Sequence, residues 1–207
     1  MPAFASICRC VLSGFLALAS LAGCSSAQPR LYVLAPMAAE GTVKKEWDRS
    51  IGVPLVTLPE YLDRSEIVAY ASTNELHTNR DDRWAERLPT NVTRVLAENL
   101  STLLATDRVH VMPSRNGDRS DYEVIVDFDR FERTAAGQSV LDARWAIQDG
   151  ATRKILIRDQ TRVATRVPDD GYASLVVAMN ENLTLLSRDI ARSLATLPQK
   201  KGRRVNS

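Results

Sequence analysis

The segment Tyr122-Glu123-Val124-Ile125-Val126-Asp127-Phe128 decides the fold class of this chain. Its bulky apolar residues recur at every second position, a spacing that places them on one face of a β-strand. Residues 141–147 alternate in the same way, and residues 155–163 continue as a third strand. Turn sequences at Ala136-Gly137 and Asp149-Gly150 separate these segments, so the pattern predicts three consecutive antiparallel strands.

Two longer segments have the apolar spacing of amphipathic helices. In residues 90–105 the apolar side chains recur three or four positions apart, and Thr90 or Asn91 is suited to cap the first turn. A second stripe runs over residues 172–194, directly after Asp169-Asp170-Gly171. Stripes of this width need a sheet or another helix to cover them. We therefore predict an α+β fold, with a single mostly antiparallel sheet and two long helices packed on one face.

The N-terminal region has the composition of a lipoprotein signal peptide. After Arg9, the apolar run 12–21 is too short to span ~30 Å of hydrocarbon as a helix. It ends in Leu21-Ala22-Gly23-Cys24, in which two small residues precede the cysteine that bacterial lipoprotein processing acylates. We therefore expect cleavage after residue 23 and lipidation of Cys24. The alternative is an ordinary secretory peptide in which Cys24 falls near the cut by chance.

The predicted processing divides the chain into four parts. Residues 1–23 are the signal peptide, 24–30 a short membrane tether, 31–197 one folded domain and 198–207 a basic flexible tail. At roughly 3.5 Å per residue the tether reaches about 20–25 Å, so we expect the domain to sit against the membrane. In enteric-type bacteria a serine after the acylated cysteine, here Ser25, permits export to the outer membrane. We expect a lipid anchor at the periplasmic face of that membrane.

The composition argues against several classes of protein. A formal net charge of +2 lacks the strong basic excess of a nucleic-acid binder, and we expect no nucleic-acid partner. Cys8 and Cys10 leave with the signal peptide and Cys24 carries the lipid, so the mature domain is expected to contain no disulfide and no thiolate metal site. The basic tail either contacts anionic lipid or is a solvated chain end.

The sequence contains no pattern typical of an enzyme. The histidines His77 and His110 lack neighbouring ligands at zinc-binding spacing. A Gly-x-Ser-x-Gly nucleophile turn and a Gly-rich phosphate loop are also missing. Asp127 and Asp129 alternate with arginine on the polar side of predicted strands, where cross-strand ion pairs are common. We expect no catalytic residue, no metal and no cofactor; the alternative is a hydrolase whose site is assembled only by the fold.

The segment Val56-Thr57-Leu58-Pro59-Glu60-Tyr61-Leu62-Asp63-Arg64 is the candidate partner-binding surface. Its composition, with Pro54 just before it, predicts an extended edge strand that leads into a turn. An unpaired edge beside a proline is either blunted or offered to another chain. Trp84 follows a predicted charged loop at 80–83, and it either anchors a partner or closes one end of the core. The candidate partner-binding residues are Leu58, Pro59, Tyr61, Asp63, Arg64 and Trp84.

Several motifs together resemble the PqiC/YmbA family of ABC-type transport auxiliary lipoproteins. The motifs are Tyr32-Val33-Leu34-Ala35-Pro36, Ile51-Gly52-Val53, Leu58-Pro59-Glu60-Tyr61-Leu62-Asp63-Arg64, Arg83-Trp84-Ala85-Glu86, Arg94-Val95-Leu96-Ala97-Glu98-Asn99-Leu100 and Leu141-Asp142-Ala143-Arg144-Trp145. Their order and spacing extend over residues 32–197. Ser65 and Arg87 stand where the family pattern has proline, a departure that softens two turns.

The resemblance implies a non-enzymatic lipoprotein that works with an MCE-domain protein and an ABC-type permease in lipid traffic between the inner and outer membranes. It leaves open whether the protein is a homo-oligomer. A rival hypothesis from another class is an envelope lipoprotein that regulates or braces a peptidoglycan or outer-membrane assembly machine. That role needs a longer reach into the periplasm than the six residues 25–30 provide.

Overall fold

The computed structural model describes residues 28–38, 47–113 and 119–198. The predicted signal peptide, Cys24 and the tail beyond residue 198 lie outside the described residues. The described elements are, in chain order, β1 (Arg30–Tyr32), β2 (Ile51–Val53), a 3₁₀ helix (Glu60–Leu62), β3 (Glu66–Tyr70), β4 (Leu76–Trp84), α1 (Leu88–Leu103), β5 (Val109–Val111), β6 (Tyr122–Arg133), β7 (Gln138–Asp149), β8 (Ile155–Arg166) and α2 (Tyr172–Leu194).

Three long strands form one continuous part of the sheet, from β6 to the edge strand β8. β6 pairs antiparallel with β7, and β7 pairs antiparallel with β8. Alternating side chains, among them Val124 and Val126 on β6 and Ala143 and Ile147 on β7, are buried on one face. Gly137 in the turn between β6 and β7 has φ of 76°, a left-handed conformation that glycine adopts without steric cost. The predicted succession of three antiparallel strands is confirmed.

Parallel segments pair with β6 along the edge that does not face β7, so the sheet is mixed. β2 pairs with the start of β6, Thr57 forms a bridge to Asp127 in its middle, and β3 meets its end. β5 continues the sheet beside β2, whereas β4 and then β1 continue it beside β3. The prediction of a mostly antiparallel sheet is therefore wrong. Parallel pairs such as Ile51 with Tyr122 join segments far apart in sequence, and no local turn sequence announces them.

Two segments take part in the sheet where the sequence predicts otherwise. Whereas the prolines at 54 and 59 predict that residues 51–58 form an edge strand or a strand with a bulge, β2 lies between β5 and β6. Beyond it, Thr57 donates its backbone N–H to Val126 at 3.1 Å and accepts one from Phe128 at 2.9 Å. The predicted loop at 80–83 is part of β4, because parallel pairing with β1 supplies partners for these polar residues.

The two helices contact each other and cover the same face of the sheet. α1 packs on β2 and β5, and α2 packs on β6, β7 and β8. α2 has the predicted bounds, whereas α1 begins at Leu88 because Pro89 is accommodated in the first helical turn. The core between helices and sheet includes Val92, Val95, Leu96 and Leu100 of α1 and Leu175, Met179, Leu183, Leu186 and Ile190 of α2. The predicted arrangement of the helices is confirmed.

Candidate functional site

The predicted partner-binding segment forms a turn that is anchored to the sheet at its beginning. Leu58 and Pro59 follow the bridge at Thr57 and are half-buried, and the 3₁₀ helix comes directly after them. Leu58 and Tyr61 pack against the core, whereas Asp63 and Arg64 are exposed. The segment therefore offers its charged end to solvent and uses its apolar residues to hold itself in place.

Tyr61 is engaged by a buried carboxylate. Its hydroxyl donates to Oε2 of Glu132 at 3.0 Å, and Glu132 is 0% exposed. The backbone N–H of Phe131 donates to the same oxygen at 2.9 Å, and Nε of Arg130 donates to Oε1 at 2.8 Å. Burial, followed by the negative charge of Glu132, raises the pKa of Tyr61 far above its usual range. The hydroxyl thus stays protonated and fixes the 3₁₀ helix to β6.

Three of the six predicted residues line one shallow pocket, which we call the Trp84 pocket. Its volume is about 370 Å³, and its lining consists of Asp63, Arg64, Ser65, Trp84, Ala85, Glu86 and Arg87. The structure therefore brings Asp63, Arg64 and Trp84 together from two separate stretches of sequence. Leu58, Pro59 and Tyr61 do not line this pocket.

Ion pairs with exposed arginines form the rim of the Trp84 pocket. Nε of Arg87 donates to Asp63 at 3.3 Å and its terminal nitrogen contacts the other carboxylate oxygen, and Arg94 donates to Glu86 at 2.9 Å. The hydrogen bond that Arg87 donates to Asp63 raises the pKa of Arg87. Exposed pairs of this kind contribute little stability. The rim therefore presents both signs of charge to a partner.

The ring of Trp84 belongs to the core. The residue is 6% exposed and joins the main cluster of buried apolar side chains. Its backbone N–H donates to the carbonyl of Ser65 at 2.8 Å, which holds the end of β4 against the start of β3. Of the two roles considered for this tryptophan, the structure supports closure of the core, and only a small part of the residue faces the pocket.

Three asparagines hold residues 34–37 against both helices, an arrangement that we call the asparagine clasp. The distances from side-chain oxygen to backbone nitrogen are 2.6 Å for Asn91 and Leu34, 3.1 Å for Asn180 and Ala35, and 2.8 Å for Asn99 and Met37. Asn91 also donates its side-chain amide to the carbonyl of Leu34 at 3.3 Å. Because Asn91 and Asn99 belong to α1 and Asn180 to α2, the segment is hydrogen-bonded to both helices.

The buried carboxylate of Asp82 holds β1, which lies directly before residues 34–37 in the chain. Asp82 on β4 is 0% exposed and accepts hydrogen bonds from Arg30 at 2.8 Å, Tyr32 at 2.9 Å and Asn79 at 2.8 Å. Burial, followed by the hydrogen bond to Asp82, raises the pKa of Tyr32. Residues 30–37 are thus held to the sheet by Asp82 and to the helices by the asparagine clasp.

Neither the asparagine clasp nor the contacts of Asp82 with β1 are predicted from the sequence. Asn91 and Asn99 are fully buried on α1, at positions that surround its apolar stripe. A buried amide requires hydrogen-bond partners, so polar residues at core-facing helix positions are a usable signal for such a site. The sequence does not reveal that the partner is the chain's own N-terminal backbone.

The part of the chain that the structure describes contains neither a cluster of metal ligands nor a membrane-spanning helix. Within residues 28–38, 47–113 and 119–198, no three His, Cys, Asp or Glu side chains are grouped to hold a metal ion. His77 lies on β4 and His110 on β5, where Nε2 of His110 is 3.0 Å from the hydroxyl of Ser120. Among the helices of the same ranges, none is long and apolar enough to cross a bilayer.

Comparison with known proteins gives matches over most of the chain. The model of a family described as "ABC-type transport auxiliary lipoprotein component" matches residues 32–191. The chain is similar to the "Intermembrane transport lipoprotein PqiC" of Escherichia coli (strain K12), with 25% identity over 182 residues that cover 86% of this chain and 94% of that protein. The protein of the same name from Shigella flexneri matches to the same extent.

Solved structures share the architecture. A crystal structure of a protein from Xanthomonas campestris has a TM-score of 0.69 and 16% identity, and the match covers 81% of this chain and 95% of that one. A second crystal structure, of an uncharacterised protein, has a TM-score of 0.67 and 21% identity, with 81% and 99% coverage. At these identities the likeness shows the fold alone.

Proposed function

Because the chain belongs to the family of ABC-type transport auxiliary lipoprotein components, we propose that it is a non-enzymatic subunit of an intermembrane lipid transport system. The family match across residues 32–191 carries this proposal. In this role the domain docks or stabilises an MCE-domain protein that spans the periplasm and works with an ABC-type permease. Acyl chains on Cys24 hold the domain at the periplasmic face of the outer membrane.

The way the N-terminal segment is held supports this role. A carrier that keeps acyl chains out of water across the periplasm needs a fixed dock at the receiving membrane. Asp82 and the asparagine clasp bind residues 30–37 through side chains from β4, α1 and α2. The folded domain therefore begins six residues after Cys24, and most of the freedom between lipid and dock is confined to that short tether.

The Trp84 pocket is the docking surface in this proposal. It is concave, its rim carries both signs of charge, and the core and the bond between Tyr61 and Glu132 fix its walls. Exposed Arg64 and Asp63 are the residues that a partner would contact first. Leu58, Pro59 and Tyr61 hold the segment that carries them. A fixed polar rim around a buried aromatic residue suits recognition of a specific partner.

Affinity purification from solubilised envelopes tests the function. A full-length chain with a C-terminal tag should recover an MCE-domain protein and an ABC-type permease, and deletion of the chain should weaken resistance to detergents. Recovery of neither protein would reject the function, and recovery of a peptidoglycan synthase in their place would support the rival hypothesis. Cys24→Ala should remove the acyl groups from the intact mass and release the chain from outer-membrane fractions.

A charge reversal tests the docking surface separately. Arg64→Glu should reduce recovery of the MCE-domain protein because it replaces a rim cation by an anion. Arg158→Glu makes the same change at an exposed position on β8, away from the Trp84 pocket, and should leave recovery unchanged. Equal recovery by the two variants would reject this surface and leave the transport role in place.

A further inference from the structure

Two large apolar side chains, one in β1 and one directly after it, are exposed beside the predicted lipid anchor. Leu31 is 64% exposed and Val33 is 49% exposed, although Leu34 immediately after them is buried. Side chains alternate along a strand, so Leu31 and Val33 point to the side opposite Tyr32. Tyr32 packs against the core on the helix side of the sheet. The two exposed residues therefore lie on the face of β1 that turns away from the helices.

The neighbouring strand extends this apolar face. Leu31 is the register partner of Arg83, and Tyr32 is the partner of Trp84. The backbone N–H of Ala85 donates to the carbonyl of Tyr32 at 2.9 Å, which continues the ladder and places exposed Ala85 beside Val33. Leu31 and Val33 together form what we call the β1 face, and Ala85, which lines the Trp84 pocket, lies where the two surfaces meet.

An apolar strand at the edge of a sheet is a liability unless something covers it. β1 is the terminal strand on its side of the sheet, and β8 is the terminal strand on the other. The anchor indicates what covers β1. Six residues separate Cys24 from Leu31, and at roughly 3.5 Å per residue they keep the β1 face within about 20–25 Å of the acylated residue.

The charges around the β1 face match a phospholipid surface. Arg83 lies across from Leu31, and its Nε donates to the backbone carbonyl of Arg80 at 2.8 Å. Of the nearby carboxylates, Glu66, the register partner of Arg83 on β3, is paired with Arg64, and Asp82 is paired with Arg30, whereas Asp81 is exposed. Apolar side chains flanked by arginine are typical of protein surfaces that rest in the headgroup layer of a bilayer.

We infer that the β1 face rests on the phospholipid bilayer that holds the anchor, with Leu31 and Val33 inserted among the headgroups and Arg83 beside the lipid phosphates. This inference depends on the proposed acylation of Cys24. It adds a second contact to the anchor, and two contacts fix which side of the domain faces the membrane. Because the tether holds the face close to the lipid, a weak intrinsic affinity is sufficient.

Depth-dependent fluorescence quenching tests the inference on the acylated protein. Cys8 and Cys10 precede the cleavage site and Cys24 is acylated, so a single introduced cysteine can be labelled. Leu31→Cys and Val33→Cys report on the β1 face. Leu156→Cys is the matched control, because Leu156 is an exposed leucine on β8 at the opposite edge of the sheet. Thr90→Cys controls for mere closeness to the N-terminal segment, because it is not part of the β1 face. Thr90 is exposed on α1 next to Asn91, which binds Leu34.

Each labelled protein is incorporated into vesicles of phosphatidylethanolamine and phosphatidylglycerol that contain a lipid-attached quencher. Labels at positions 31 and 33 should shift to the blue and lose most of their fluorescence, whereas labels at 156 and 90 should keep most of theirs. Equal quenching at 31, 33 and 156, or quenching at 90 as strong as at 31, would overturn the inference. Matching thermal unfolding of all labelled variants establishes that the fold is intact.

The same samples separate this inference from the anchor on which it rests. The intact mass shows whether Cys24 is acylated. An unmodified thiol would overturn both the anchor and the β1 face as a membrane contact. An acylated protein that floats with the vesicles but shows equal quenching would overturn only the β1 face, and the docking role would stand.

Discussion

The hydroxyl of Tyr32 donates a hydrogen bond of 2.9 Å to Oδ1 of Asp82, a carboxylate with no exposed surface on the adjacent strand. Arg30 donates to the other oxygen of the same group at 2.8 Å. Both donors belong to β1, the first of the described strands. Asp82 therefore joins the entry of the chain to the sheet through side chains as well as through the strand ladder.

Loss of this acceptor should destabilise the domain. Asp82→Ala leaves Tyr32 and Asn79 without their partner and should lower the free energy of unfolding by about 1–3 kcal/mol. Asp82→Asn keeps the shape and one acceptor oxygen and should show a smaller loss. Urea unfolding of the two variants measures the difference. A midpoint unchanged in both variants would contradict a structural role for Asp82.

The asparagine clasp should contribute unequally along its length. Asn91 is fully buried and makes two bonds to Leu34, whereas Asn180 is half-buried and makes one bond to Ala35. Asn91→Ala should therefore cost about 1–3 kcal/mol of stability, and Asn180→Ala about 1 kcal/mol or less. Hydrogen exchange at the amide of Leu34 should accelerate in Asn91→Ala. Protection of that amide equal to the parent's would show that the clasp does not hold this segment.

The hydroxyl of Tyr61 should stabilise the turn that carries Asp63 and Arg64. Tyr61→Phe removes one donor from the buried Glu132 and should lower the free energy of unfolding by about 1–3 kcal/mol. Tyr172→Phe is a matched control, because the hydroxyl of Tyr172 is buried without a hydrogen-bond partner among the described residues. Its removal should be nearly neutral. Equal thermal shifts for the two variants would contradict the assigned contact.

The start of α2 should make stability depend on pH in the acidic range. Asp169 accepts hydrogen bonds from the hydroxyl of Ser174 and from the N–H of Gly171, both at 2.7 Å. Both bonds lower the pKa of Asp169 below its ordinary value of 3.8, and the bond from Ser174 has the larger effect. Because the pKa of Asp169 is lower in the folded state, its carboxylate adds stability at pH values above its pKa in the unfolded chain. This stability is lost as the pH falls through the pKa of the folded state.

The stability of Asp169→Asn compared with that of the parent tests whether the ionised Asp169 stabilises the folded state. The parent should be the more stable protein near neutral pH, and the difference should shrink as the pH falls below 3.8. Ser174→Ala should reduce the same pH dependence, because it removes the larger cause of the lowered pKa. Unfolding midpoints measured across this range give the result. A difference that stays constant down to the lowest pH would show that the Asp169 carboxylate does not act through its charge.

The helices and the three long strands could be predicted because their patterns are local. Alternation in residues 122–128 and the apolar stripe of α2 depend only on spacing along the chain, and the turn at Gly137 is a short sequence signal. The parallel pairings of β1, β2, β3 and β5 depend on contacts between distant segments. Short strands of three residues, such as β2, carry too few side chains to show a period.

The candidate site could be predicted only in part for a similar reason. Asp63, Arg64 and Trp84 meet at one pocket because β3 and β4 pair as an antiparallel hairpin. The engagement of Tyr61 by Glu132 depends on the parallel contact of residue 57 with β6, which the sequence does not reveal. The anchoring of residues 34–37 depends on buried asparagines whose partner is backbone, and backbone carries no sequence signal.

The parallel pairing of β1 with β4 also decides how the domain carries a mechanical load. In the proposed role, a partner and a bilayer that move apart would put tension on the chain N-terminal to β1, and this tension would pass first into β1. For a pull along the strand axis, the β1–β4 hydrogen bonds stretch together in shear and do not open one after another. In the proposed role, a three-residue strand at the rim of the sheet would be the point where envelope tension is transferred to the folded body.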